Sequence, residues 1–82
     1  MIEVKIILSD KILLYKECRS LYLYSFLGKI HLLPKHRDYM VLLNSNKEIV
    51  FLLDTGKVKL FLLEKAILTF NFINNACTIS IL

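Results

Sequence analysis

Period-two alternation runs through this chain in short stretches, and each stretch is broken within a few residues by turn chemistry. Ile2, Val4, Ile6 and Leu8 alternate with Glu3 and Lys5, the pattern of a strand with one buried face. Ser9-Asp10-Lys11 closes it, and Ile12 to Tyr15 begins a second strand. Leu21 to Tyr24 reads as a third, ended at Gly28, and Lys29 to Leu33 as a short fourth. Pro34 stops that fourth strand, because it has no N–H to give to a ladder. Tyr39 to Leu43 fits a strand or a helical turn, closed either way by Asn44-Ser45-Asn46. No stretch supplies a long amphipathic helix.

The second half is clearer. Glu48 to Leu53 and Lys57 to Leu63 flank Asp54-Thr55-Gly56, a short Gly-containing loop of the kind that closes a hairpin. Lys57 and Lys59 alternate with Val58 and Leu60, which puts the lysines on a wet face. Ile67 to Phe72 and Cys77 to Ile81 complete the set. Regular short strands with frequent turns predict an all-β fold, a small antiparallel sandwich or flattened barrel of roughly eight to ten strands. The expected inner face holds Val4, Ile6, Leu23, Ile30, Leu32, Leu52 and Ile79. Residues 1–82 form one domain, with no internal repeat and no linker.

A chain of 82 residues buries only about 60–65% of its unfolded surface when it folds. Yet 56% of its residues are hydrophobic, above the usual share of about 45–50%. Some apolar area is therefore expected at the surface, where contiguous patches mark partner interfaces. That favours a subunit of an assembly.

Several function classes fall away. The net charge of +4 is scattered from Lys5 to Lys65, with only Lys35-His36-Arg37 as a local cluster. Nucleic-acid binders concentrate charge on one face and offer aromatics for stacking. The stripe Tyr22, Tyr24, Phe26 is better read as sheet packing. Cys18 and Cys77 are too few for a metal site or a disulfide framework and read as reduced, apolar strand residues. His31 and His36 lack zinc-site spacing, and a His36–Asp38 pair is the nearest thing to a catalytic couple. No nucleophile beside a base and no phosphate loop is present, so neither an enzyme nor a cofactor site is expected. Glu3 and Lys5 interrupt any signal-type apolar core. Ala66 to Leu82 carries no charged side chain, but Asn71, Asn74 and Asn75 sit near its centre. Two strands about an Asn-Asn turn explain that stretch better than a membrane span.

The segment Gly28-Lys29-Ile30-His31-Leu32-Leu33-Pro34-Lys35-His36 joins a glycine turn, an apolar strand and a Pro-x-His corner. It resembles the loop-strand-loop of the epsilon subunit of F-type ATP synthases, with Gly28, Ile30, Leu32, Leu33, Pro34 and His36 matching. His31 stands where that family has its second glycine. The opening Ile2 to Lys11 and the closing Asn74-Asn75-Ala76-Cys77-Thr78-Ile79 are similar to the family's first strand and last turn. Leu63-Glu64-Lys65-Ala66 lacks the glycines of the family's penultimate turn, and Lys29 stands where an acid or amide is usual. The chain stops at Leu82, where the family continues into a C-terminal helical hairpin.

The resemblance implies an epsilon-like N-terminal β domain in the central rotor stalk. It implies binding to the gamma subunit and to the c-subunit ring, and coupling of ring rotation to ATP synthesis. The location it implies is peripheral, at the cytoplasmic face of the bacterial inner membrane or its organellar equivalent, without a transmembrane segment. Ser25, Phe26, Gly28 and Lys29 become candidate ring contacts, and Pro34, His36 and Asp38 candidate stalk contacts. His36 is expected to brace the Pro34 corner through a hydrogen bond. Without the hairpin, epsilon-type restraint of ATP hydrolysis is not expected. The alternative is a standalone β-barrel module binding RNA or a peptide.

Overall fold

The computed structural model describes residues 1–82 and contains eight strands and no helix. They are β1 (Ile2–Ile7), β2 (Ile12–Ser25), β3 (Gly28–Leu32), β4 (Tyr39–Leu43), β5 (Lys47–Leu53), β6 (Gly56–Leu62), β7 (Ala66–Asn71) and β8 (Ala76–Ile81). The expected all-β class holds, and Tyr39 to Leu43 is a strand. β1, β8, β7, β4 and β2 form a closed circuit, and β5 and β6 extend the sheet from β2. All pairings are antiparallel except β1 with β8, which run parallel. No helix is long and apolar enough to cross a membrane.

β2 organises the whole molecule. The sequence reads as two strands, Ile12–Tyr15 and Leu21–Tyr24, but the backbone runs unbroken over 14 residues. Ile2 faces Cys18 while Val4 faces Tyr15, so β2 carries an extra residue there. A second irregularity follows, because Cys18 faces Leu53 while Ser20 faces Leu52. Each bulge shifts the inward phase by one residue and bends the strand. Leu13 and Tyr15 therefore face in, then Cys18, then Leu21 and Leu23. Read along the chain, the lost phase looks like a break. β2 pairs with β1 and then β3 along one edge, and with β5 and then β4 along the other.

The core unites residues from every strand, with Phe51, Ile2, Ile6, Leu21, Leu23, Leu32, Leu68 and Ile79 wholly buried. Of the expected inner face, Val4, Ile6, Leu23, Leu32 and Ile79 are buried. Ile30 faces Leu23 and packs half-buried against the core. Leu52 is a correction. Ile49 and Phe51 are the inward residues of β5, and Leu52 lies on the opposite face with Val50. The run Ile49-Val50-Phe51-Leu52-Leu53 has no polar residue to mark its phase, so alternation could not choose between its faces. Lys57 and Lys59 are exposed, while Val58 and Leu60 pack against the core.

Both cysteines are free and buried. The Cys18 thiol donates to the Ser20 carbonyl at 3.1 Å. Burial raises its pKa, partly offset by backbone hydrogen bonds. Burial, with the neighbouring Cys18 adding to it, pushes the Cys77 thiol up to about 12. Every buried side-chain nitrogen or oxygen has a hydrogen-bond partner.

Candidate interaction surfaces

The segment from Ser25 to Lys29 forms a tight hairpin. Ser25 pairs with Gly28 across a turn whose tip is Phe26 and Leu27. The Ser25 hydroxyl accepts from the Leu27 N–H at 3.0 Å and donates to the Gly28 carbonyl at 3.1 Å. The Asn44 amide donates to the Ser25 carbonyl at 3.2 Å. Ser25 is itself buried and holds the hairpin from within. Gly28 has φ 120, a region that side-chain-bearing residues rarely enter. A Cβ there would meet nothing within 4 Å, so the demand for glycine comes from the backbone alone.

This rigid base presents Phe26 at 55% exposure and Leu27 at 92%. The Lys65 ammonium sits 5.4 Å from the Phe26 ring, which sets a cation beside the apolar tip. Leu27 lies outside the contacts that the resemblance implies. Its signal was available, since two large apolar residues occupy a tight turn where polar ones are usual.

The segment from Pro34 to Asp38 lies at the other end of β3, about 13 Å away along a five-residue strand. His36 is half-buried, its ring 5.4 Å from that of Tyr39 and edge-on to Phe70 at 5.8 Å. Its Nδ1 lies 2.8 Å from the Arg37 carbonyl oxygen. The expected hydrogen bond of His36 is made, but to the carbonyl of the next residue and not to Pro34. The His36–Asp38 pair is absent, because the Asp38 carboxylate instead accepts the Phe72 N–H at 2.8 Å.

Asn75, which the sequence marks only as a turn residue, completes this end. Its side-chain oxygen accepts the Lys35 N–H at 2.7 Å, and its amide nitrogen donates to the Met1 carbonyl. Its own carbonyl accepts the Glu3 N–H at 3.1 Å. Around this knot Leu33, Phe72 and Ile73 are exposed, Ile73 at 88%. The molecule thus has an apolar projection at each end of β3 and β7, Phe26–Leu27 at one and Phe72–Ile73 at the other.

No group of His, Cys, Asp and Glu is placed to hold a metal ion. Arg19 and Asp54, both exposed, form the one ion pair. The side chains at the two ends of β3 assemble no acid–base pair.

No protein-family model matches the sequence, and no curated protein does. The fold is shared with solved structures, two of which are chains of mitochondrial ATP synthases. A chain in the mitochondrial ATP synthase of Euglena gracilis, a structure of OSCP, F1 and c-ring in rotational state 1, superposes with a TM-score of 0.82 at 14% identity. The match covers 95% of this chain and 48% of that one. A chain from the central stalk and c-ring of the Tetrahymena thermophila mitochondrial ATP synthase matches with a TM-score of 0.72 at 12% identity. There 99% of this chain aligns with 63% of the other. At such identities the likeness establishes the fold. This chain spans about half to two-thirds of the length of the chains it matches.

Proposed function

We propose that this protein is a non-catalytic, epsilon-type subunit of the central stalk of a rotary F-type ATP synthase. In this reading it binds the gamma subunit and rests on the c-subunit ring, peripheral to the membrane on the side of the catalytic head. Its task is mechanical. Rotation of the ring, driven by proton or sodium flow, must reach the catalytic head without slip, and a stiff sheet gripped at two places meets that requirement. The Phe26–Lys29 hairpin faces the ring, and the Pro34–Asp38 corner with the Asn75 knot faces the stalk.

One observation carries the reading. The Gly28 to His36 segment, which resembles epsilon in sequence, lies on a projecting hairpin and a braced corner. The fold around it is shared with chains of two mitochondrial ATP synthase assemblies, each containing the c-ring. The test is affinity purification of the tagged chain from native membranes solubilised in mild detergent. Gamma and the c-ring should co-purify in stoichiometric amounts. Recovery of intact ATP synthase without this chain would overturn the proposal.

A further inference from the structure

The outward face of β3, β2, β5 and β6 carries the largest groove of the molecule, an open trough of about 450 Å³. Its floor is apolar, made by Tyr22, Tyr24, Val50 and Leu52. Lysines surround it. Lys29 stands on the β3 side, Lys57 and Lys59 on the β6 side, and Lys47 at one end. Glu48 is the only carboxylate lining it, and none of the four lysines forms an ion pair within the protein. β3 and β6 are both sheet edges, so nothing in the chain covers the rims.

The aromatic rings decide between kinds of anionic partner. Tyr22 is stacked on His31, with centroids 4.1 Å apart and planes 6° apart. The Lys29 ammonium lies 5.0 Å from the same ring, and that of Lys47 lies 5.4 Å from the Tyr24 ring. Single-stranded nucleic acid gains its sequence-tolerant affinity by stacking bases on free aromatic faces. Here one face of Tyr22 is taken by His31, and an ammonium group stands near each tyrosine ring. The tyrosines serve as supports that hold ammonium groups over an apolar strip.

We infer that this groove docks an acidic protein segment, with carboxylates on the lysines and aliphatic side chains on Val50 and Leu52. The inference shares only Lys29 with the rotor reading, which otherwise uses the hairpin tip and the opposite corner, and the Lys57 and Lys59 variants test it separately. Complementary charge raises encounter rates and selects the partner, and salt weakens such exposed contacts.

The test is fluorescence anisotropy of the full chain with a labelled peptide of repeating Glu-Leu-Asp-Glu, and in parallel with labelled oligouridylate. The peptide should bind at low ionic strength and weaken as salt rises. Lys57→Glu combined with Lys59→Glu should lower its affinity by about tenfold. Lys29→Glu, a single change on the other rim, should lower it as well, which covers a failure of the double variant to fold. Lys5→Glu with Lys11→Glu makes the same change in net charge elsewhere and should leave binding within about twofold. Amide resonances of Val50 and Leu52 should shift on peptide addition. Absence of peptide binding, equal loss in the control variant, or tighter binding of oligouridylate than of the peptide would each overturn the inference.

Discussion

Lys35 and Asn75 lie 40 residues apart in sequence, yet the Lys35 N–H donates to the Asn75 side chain at 2.7 Å. Both residues are left-handed, with φ 63 and φ 49, so each half of this contact depends on a backbone conformation that few residues tolerate. Asn is among those that do. The side chain also reaches Met1, and Asn75 thereby ties the loop after β3, the β7–β8 turn and the N-terminus together.

Asn75→Ala should destabilise the fold by about 2 kcal/mol, through two lost hydrogen bonds and a strained φ. Asn75→Gly restores the backbone freedom but not the hydrogen bonds, so it should lie between the two. Urea melts of the three proteins check the order. Faster hydrogen exchange at the Lys35 amide checks the cause.

The core predicts a contrast between neighbours on β5. Phe51→Ala should cost about 3–5 kcal/mol, as removal of a buried ring does. Leu52→Ser should cost less than half as much, because Leu52 lies in the outer groove. Ile79→Asp, which places a carboxylate in the core, should cost about 3 kcal/mol or more. Thermal melts that rank Leu52→Ser as the most harmful would reverse the assigned phase of the strand.

The Cys77 thiol gives a prediction for alkaline pH. Its ordinary value is 9.0 and burial pushes it up to about 12 in the folded protein. Above pH 9 the unfolded chain ionises at this position while the folded one stays neutral, so ionisation favours unfolding. The stability is complete below pH 9 and is lost progressively as the pH rises toward 12. Cys77→Ala should show a shallower fall in melting temperature over that window than the parent. The folded protein should also resist thiol reagents at pH 8 and react fully in urea.

The rotor reading makes its own prediction at the hairpin. Leu27→Ser should leave stability within about 0.5 kcal/mol of the parent, since Leu27 touches little. Gly28→Val should destabilise by about 1–3 kcal/mol, because a β-branched residue resists φ 120. Lys29→Glu should act mainly at low ionic strength, where an exposed charge is worth about 0–1 kcal/mol. ATP-driven ion pumping per ATP hydrolysed, measured in membranes with each variant bound, should fall for Leu27→Ser and Lys29→Glu. An unchanged ratio in both would remove the hairpin as a coupling surface.

Alternation alone determined most of the strands. β1, β3 with its stop at Pro34, the β5–β6 hairpin about Asp54-Thr55-Gly56, and β7 and β8 about the Asn-Asn turn were all legible. A strand's two-residue period and the φ preferences of Gly, Pro and Asn act within a few residues. The projecting Gly28 turn and the His36 corner were legible for the same reason. What needed the tertiary structure was every choice that a distant neighbour makes. β2 is one strand because β1 and β5 hold it through two bulges. Leu52 faces out because Phe51 fills the interior, a choice an unbroken apolar run leaves open. β1 lies parallel to β8 because closing the circuit brings them side by side. Asp38 bonds to Phe72 across 34 residues and not to the nearby His36, because packing, unlike local geometry, is settled only when the whole chain has closed around its core.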